Sequence, residues 1–329
     1  MLNLNSPTAR SHRLAECACL AAVLGLLLGC APQADKDSKV NSGVDDLDPI
    51  PEDDGDPATG GEPGTYGIVF EHNGVEREAI VYVPESYDAA ASTGLMLNFH
   101  GYGGTAGDHM EWADMRDLAD RDGHIVVYPQ GTLMDGAPHW NAALPGGDNK
   151  SEADDLNFVP ELVALIAETY PHDAQRIYAS GYSNGGMMAA ALACFRSDLI
   201  ASFAIVSGAQ LDVGDICAPT HPTAVITLHG TNDYVLAYNG DAETPSAQDA
   251  IDFWVAHNQT STSPSVESAS DGGMNIERSV YSGGTNGVSV EHYRYDGGEH
   301  VWFYEQFNGA NASQLVWDFT TRHNIQGAL

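Results

Sequence analysis

The sequence predicts an α/β domain over residues 66–329, with a mainly parallel central sheet and helices on both faces. Three observations predict it. Short strand-like runs alternate with stretches of helical apolar spacing. One such run, Leu95-Met96-Leu97-Asn98-Phe99, reads as a buried strand. A Gly-x-Ser-x-Gly pentapeptide lies at a junction of strand and helix.

In chain order, 67–71 and 76–83 alternate apolar and polar residues around Asn73-Gly74, a two-residue hairpin signal, and Pro84 ends the second strand. The buried strand 95–99 runs directly into His100-Gly101-Tyr102-Gly103-Gly104. A helix is expected over about 108–120 and a strand over 125–128. After a polar loop, 156–170 has helical spacing, with Leu162, Val163, Leu165 and Ile166 on its apolar side. Asp154-Asp155 before it reads as an N-cap with a favourable dipole contact. A short strand at 176–180 meets an alanine- and methionine-rich helix at 184–194. Strands at 202–207 and 224–229, a helix at 247–257, a strand at 288–295 and a closing helix at 313–323 complete the alternation.

Residues 1–29 read as a targeting segment rather than as fold. Arg10 and Arg13 precede an apolar run at 21–28, although Glu16 interrupts the approach to it. The run ends in Leu27-Leu28-Gly29-Cys30, which resembles the lipobox of bacterial lipoproteins and implies cleavage before Cys30 and its lipidation. An ordinary signal peptide or an uncleaved anchor are the alternatives. Residues 30–65 read as a disordered acidic tether, because Pro49, Pro51, Pro57 and Pro63 interleave with a dense aspartate set and little is apolar. The expected location is extracytoplasmic, anchored at the outer membrane or cell surface, or secreted.

The formal charge of the chain is −33. So acidic a protein is a poor candidate for nucleic acid or anionic lipid, and membrane contact is expected only through the lipid. Anionic substrates gain no attraction either. Only Cys194 and Cys217 remain in the body, which in an exported protein suggests one disulfide, against two separate buried thiols.

Gly181-Tyr182-Ser183-Asn184-Gly185 carries the chemistry. A sharp strand-to-helix turn needs glycines on both sides and lifts the serine hydroxyl clear of the sheet, the nucleophile elbow of an α/β-hydrolase fold. Serine is weak at neutral pH without a base and an orienting carboxylate, which in this fold follow in the order Ser, Asp or Glu, His. His229-Gly230-Thr231-Asn232-Asp233 leaves one later strand and presents Asp233; Gly297-Gly298-Glu299-His300 leaves another and presents His300. Taken singly these would be a turn-capping aspartate and a surface histidine; together, order and loop placement make Ser183, Asp233 and His300 the catalytic candidates. The backbone N–H groups of Tyr102 and Asn184 are the expected oxyanion hole, and Tyr102 and Trp302 the expected aromatic walls of a substrate pocket. His100 and His229, each before a glycine, read as loop braces. No metal-ligand spacing links the remaining histidines, so neither metal nor cofactor is expected.

These residues give a resemblance that runs from about residue 67 to about 317. The segments are 100–104, Tyr128-Pro129-Gln130-Gly131, Trp140-Asn141, Asp154-Asp155, Arg176-Ile177-Tyr178, 181–188, 229–233 and His300-Val301-Trp302. In them the chain resembles the bacterial extracellular esterase family of feruloyl esterases, acetylxylan esterases and polyhydroxybutyrate depolymerases. The resemblance implies the same triad and pairs Cys194 with Cys217. Glu299, where many members have glycine, and Phe303, where proline often stands, depart from it.

The expectation is a serine esterase that acts through an acyl-enzyme on small or plant-polysaccharide-linked esters, feruloyl, acetyl or short-chain, as a monomer. No added polymer-binding module is evident, so soluble esters are expected ahead of solid polyester. A polyester depolymerase and a catalytically silent binding lipoprotein are the rivals, with a peptidase of this fold behind them.

Overall fold

The structure, a computed structural model, describes residues 40–49, 61–143, 151–211, 216–242 and 244–329. The targeting segment, Cys30 and most of the expected tether lie outside the described residues.

The described strands are β1 (Gly64–His72), β2 (Val75–Val83), β3 (Leu95–Phe99), β4 (Ile125–Pro129), β5 (Thr132–Met134), β6 (Ala137–His139), β7 (Ile177–Tyr182), β8 (Ser202–Val206), β9 (Ala224–Gly230), β10 (Ser265–Asp271), β11 (Met274–Tyr281), β12 (Val290–Tyr295), β13 (His323–Asn324) and β14 (Gly327–Ala328). The helices are α1 (Ala106–Trp112), α2 (Arg116–Asp122), α3 (Asp155–Thr169), α4 (Asn184–Phe195), α5 (Ala247–Asn258) and α6 (Ala312–Thr320). Ten strands form one sheet in the order β1-β2-β4-β3-β7-β8-β9-β12-β11-β10. Its centre, β4 to β12, is parallel, and both flanks are antiparallel. This is the expected α/β-hydrolase fold.

Strand alternation divides the core into two layers. Leu95, Leu97 and Phe99 of β3 face α3, α4 and α5, where Leu162, Ile166, Met188 and Trp254 pack. Met96 of the same strand faces the opposite layer, with Met110, Leu118 and Trp317 from α1, α2 and α6. The β1–β2 hairpin turns where it was expected, on Asn73 and Gly74, both at positive φ. Cys194 at the end of α4 is disulfide-bonded to Cys217.

Four features differ from the sequence reading. The helix expected over 108–120 is two helices, because buried Asn98 donates to the Ala113 carbonyl and the Met115 N–H turns to the Tyr128 hydroxyl. The β5–β6 and β10–β11 hairpins were not expected; they turn on Asp135-Gly136 and Gly272-Gly273, all at positive φ. Asp154 sits at the N-cap of α3 without a side-chain cap bond, while Asp155 is buried against Arg77 and the Asn141 N–H. The described parts of the expected tether pack on the body: Val44 is buried, the Gly107 N–H donates to Ser42 O, and the Gly67 N–H donates to Asp48 O. Val44 and Leu47, a Ser42–Glu78 side-chain hydrogen bond and a few backbone bonds hold a stretch whose composition alone reads as disordered.

Candidate active site

Loops leaving the C-terminal ends of β3, β7, β9 and β12 meet at one place. Ser183 directly follows β7, at the N-cap position of α4, with φ 53° and ψ −118°. A non-glycine residue held in such a region costs about 1–3 kcal/mol and persists only where its surroundings over-determine it. Here the Ser183 N–H donates to Val206 O at 2.9 Å, and its carbonyl accepts from Met187 N at 3.1 Å. The flanking glycines are steric requirements: a methyl on Gly181 would strike the Gly185 backbone, and one on Gly185 would strike the Phe99 carbonyl.

His300 Nε2 lies 2.9 Å from Ser183 Oγ, and its Nδ1 lies 2.7 Å from Asp233 Oδ2. The carboxylate accepts, so Nδ1 carries the proton and Nε2 faces the serine hydroxyl with its lone pair. Asp233 Oδ1 accepts from the Val235 and Leu236 N–H groups at 2.9 and 2.8 Å. Burial pushes the Asp233 carboxyl up, but hydrogen bonds from His229, His300 and the Leu236 N–H outweigh it and hold it well below the usual carboxylate range.

The two loops are stapled to each other. The Asn232 N–H donates to Gly298 O, the Gly297 N–H donates to Thr231 Oγ1, and Gly230 lies too close to Gly298 for any side chain. From the nucleophile side, the Tyr182 hydroxyl donates to His300 O at 2.8 Å and Ser207 Oγ to Val301 O at 2.7 Å.

The β3 loop is held differently. The Gly131 N–H donates to His100 Nε2 at 2.9 Å, so the imidazole proton is on Nδ1, which donates to Gly101 O at 2.7 Å. Burial holds the His100 pKa down to about 4. Asn184 clamps the backbone of Trp140 with both ends of its amide, at 2.7 and 3.0 Å, and the Trp140 indole N–H donates to His100 O at 3.0 Å. The Tyr102 N–H has no acceptor among the described residues, and the Asn184 N–H is the first of α4, where a helix supplies no internal partner.

Of the residues singled out in the sequence, Ser183, His300 and Asp233 are brought together, with Tyr102 and Asn184 on adjoining turns. Tyr102 is 48% exposed. Trp302 is not a pocket wall: it is 3% exposed, edge-on to His109 and Trp112, and its indole N–H donates to Ser313. The chain bends at His300 and Val301, so that Val301 faces out while Trp302 and Phe303 are both buried. The sequence reading missed three supports: the Asn184–Trp140 clamp, the Tyr182 hydroxyl, and His229, which faces Asp233.

No protein-family model matches the chain. Feruloyl esterase B of Piromyces equi is 29% identical over 185 residues, which are 55% of this chain and 34% of that protein. A bifunctional acetylxylan esterase/xylanase of Neocallimastix patriciarum is 30% identical over 165 residues, 50% of this chain and 22% of that protein. The chain thus spans about a third or less of the length of these two curated relatives. Among solved structures, an acetyl xylan esterase from Aspergillus awamori superposes with TM-score 0.53 at 17% identity, covering 72% of this chain and 94% of that one. The chain is similar to esterases in sequence, and its fold is theirs.

Proposed function

We propose that the protein is a serine esterase whose nucleophile is Ser183, and the observation that carries this reading is the unbroken contact from Ser183 Oγ through His300 to Asp233. As Oγ attacks the ester carbonyl, its proton passes to His300 Nε2, and Asp233 stabilises the imidazolium and keeps its tautomer. Negative charge developing on the carbonyl oxygen meets the Tyr102 and Asn184 N–H groups. The imidazolium then gives its proton to the leaving alcohol, and water hydrolyses the acyl-enzyme by the same route in reverse.

The substrates are small esters, short-chain acyl or hydroxycinnamoyl, free or borne on plant polysaccharide. Two observations support this class. The named relatives include a feruloyl and an acetylxylan esterase. Tyr102, Tyr234, Val235, Val301 and Tyr304 are exposed on the loops that carry the site, a surface suited to an aryl or short acyl group. The protein acts outside the cytoplasm as a monomer, held by a lipid on Cys30; the Cys194–Cys217 bond supports an oxidising compartment.

The test is kcat/KM on p-nitrophenyl acetate, butyrate and palmitate and on methyl ferulate, with monomer release from polyhydroxybutyrate alongside. Acetate, butyrate or ferulate should lead. A preference for palmitate contradicts the substrate class, and efficient attack on solid polymer replaces it with a depolymerase. A Cys30→Ala variant should leave the membrane fraction; unchanged association overturns the anchor.

A further inference from the structure

Asp233 Oδ2 faces two histidines. His300 Nδ1 is one neighbour, at 2.7 Å, and His229 Nε2 is the other, at 3.2 Å. His229 Nε2 also lies 2.9 Å from the Leu236 carbonyl oxygen. A carbonyl only accepts, so Nε2 is the protonated nitrogen of His229, and its N–H is shared between Leu236 O and Asp233 Oδ2. The Leu236 peptide closes the motif, because its N–H donates to the other carboxylate oxygen, Oδ1.

His229 is itself buried at the end of β9, with the Tyr238 ring edge-on at 5.6 Å. Behind Tyr238, whose hydroxyl contacts His292 Nε2, Thr227 Oγ1 contacts His292 Nδ1. The carboxylate therefore faces four N–H groups: two backbone N–H groups on Oδ1, and on Oδ2 the Nδ1–H of His300 at 2.7 Å and the shared Nε2–H of His229 at 3.2 Å.

We infer that His229 is a positioning residue for the proposed triad: its Nε2–H holds Oδ2 of Asp233 in line with His300 and shares the charge that His300 feels. The inference rests on the functional reading above. It assigns His229 a different duty from His100, which also precedes a glycine at a strand end but only braces a loop. The shared N–H limits how strongly Asp233 attracts a proton onto His300. Loss of that donor concentrates charge on Oδ2 and favours the imidazolium. The titratable groups around His229 are Asp233, His300, Tyr238 and His292; burial holds His292 at about 3, so it does not titrate where the base does.

The experiment compares His229→Leu and His229→Gln with the wild type in steady-state kinetics across pH, and records low-field proton spectra of ¹⁵N-histidine-labelled protein. His229→Leu should lower kcat about 10–100-fold with KM little changed, the scale on which removal of an outer hydrogen-bond partner acts. The acidic limb of its kcat/KM profile should move to higher pH, by about half a unit or more. His229→Gln, which keeps an N–H donor, should recover most of the activity and return the limb. In the wild type, His229 should be the Nε2–H tautomer.

Wild-type kcat and an unmoved limb in His229→Leu overturn the inference. So does an Nδ1–H tautomer of His229 in the wild type, a readout that stands even where the leucine variant fails to fold. Equal losses in the glutamine and leucine variants also overturn it, since shape rather than the donor then matters. If wild-type protein turns over no ester, the functional reading fails, while the tautomer still decides whether His229 donates to Asp233.

Discussion

The two sides of the site are held by different forces. On the nucleophile side, Ser183 and the β3 loop are fixed by backbone packing without room for side chains, and by neutral groups: the Asn184–Trp140 clamp and a buried, uncharged His100. On the acid–base side, His300 is aimed by an ionised carboxylate that faces four N–H groups, and its loop is tied to its neighbour by hydrogen bonds as well as by one close glycine contact, Gly230 on Gly298. Steric fixing tolerates few residues and is therefore visible as motif glycines. Electrostatic fixing depends on which atoms face one another, and it responds to single-atom changes.

The largest expected effect is on the nucleophile side. Ser183→Ala should lower turnover by about 10⁴–10⁶ while leaving the thermal transition in place. On the acid–base side, Asp233→Asn keeps the shape and removes the charge; turnover should fall by about 10⁴, because an amide N–H facing Nδ1 favours the wrong tautomer. Undiminished activity in that variant would move the orienting role to another residue.

Next comes the Cys194–Cys217 bond, which joins the end of α4 to the approach to β9. Its reduction should cost about 3 kcal/mol of stability in the loop-entropy model, read as a lower melting temperature before activity changes. Two free thiols per denatured, unreduced chain would contradict the bond.

Asn184→Ala removes the clamp yet keeps the backbone N–H, so it isolates the neutral scaffolding. We expect a fall in kcat of about 10²-fold from displaced geometry, with KM little changed.

The smallest effect is on stability against pH, where the buried histidines and Asp233 separate. Burial lowers the pKa of His100 to about 4, His292 to about 3 and His109 well below the ordinary value. A histidine with a depressed folded pKa binds its proton more readily when unfolded. Its contribution to stability is complete above about 6.5 and declines as pH falls toward the folded value. Asp233, also depressed, contributes above about 3.9 and loses that contribution only as pH falls through its lower folded value. The melting temperature should thus fall between pH 7 and 4 through the histidines, and His100→Gln should flatten that slope where Asp233→Asn does not.

What was legible in the sequence follows the same division. Ser183, Asp233 and His300 stand out as candidates because Ser183 directly follows β7, Asp233 and His300 lie on the loops after β9 and β12, and the three stand in an order that the fold imposes. In the sequence His229 reads as a brace because a histidine before glycine looks the same at His100; only the third dimension turns its Nε2 toward Asp233. Adjacency to His300 suggests Trp302 as a pocket wall but says nothing of which way a loop side chain points, and Trp302 is buried. β10 is invisible to pattern, since Ser265–Asp271 is mostly exposed and has no apolar face; Gly272-Gly273 at its turn is the signal that could have found it. Val44 and Leu47 show the converse limit, in which two apolar side chains dock a stretch that composition assigns to solvent.

The central claim is that Ser183 is a nucleophile made reactive by His300 and Asp233. It is tested most directly by labelling the purified protein with a fluorophosphonate and mapping the modified peptide. Stoichiometric labelling of the wild type at Ser183, slowed strongly in Asp233→Asn and abolished in Ser183→Ala, is the result expected. Labelling that persists in Ser183→Ala, or a wild type that does not react while hydrolysing esters, would contradict the account.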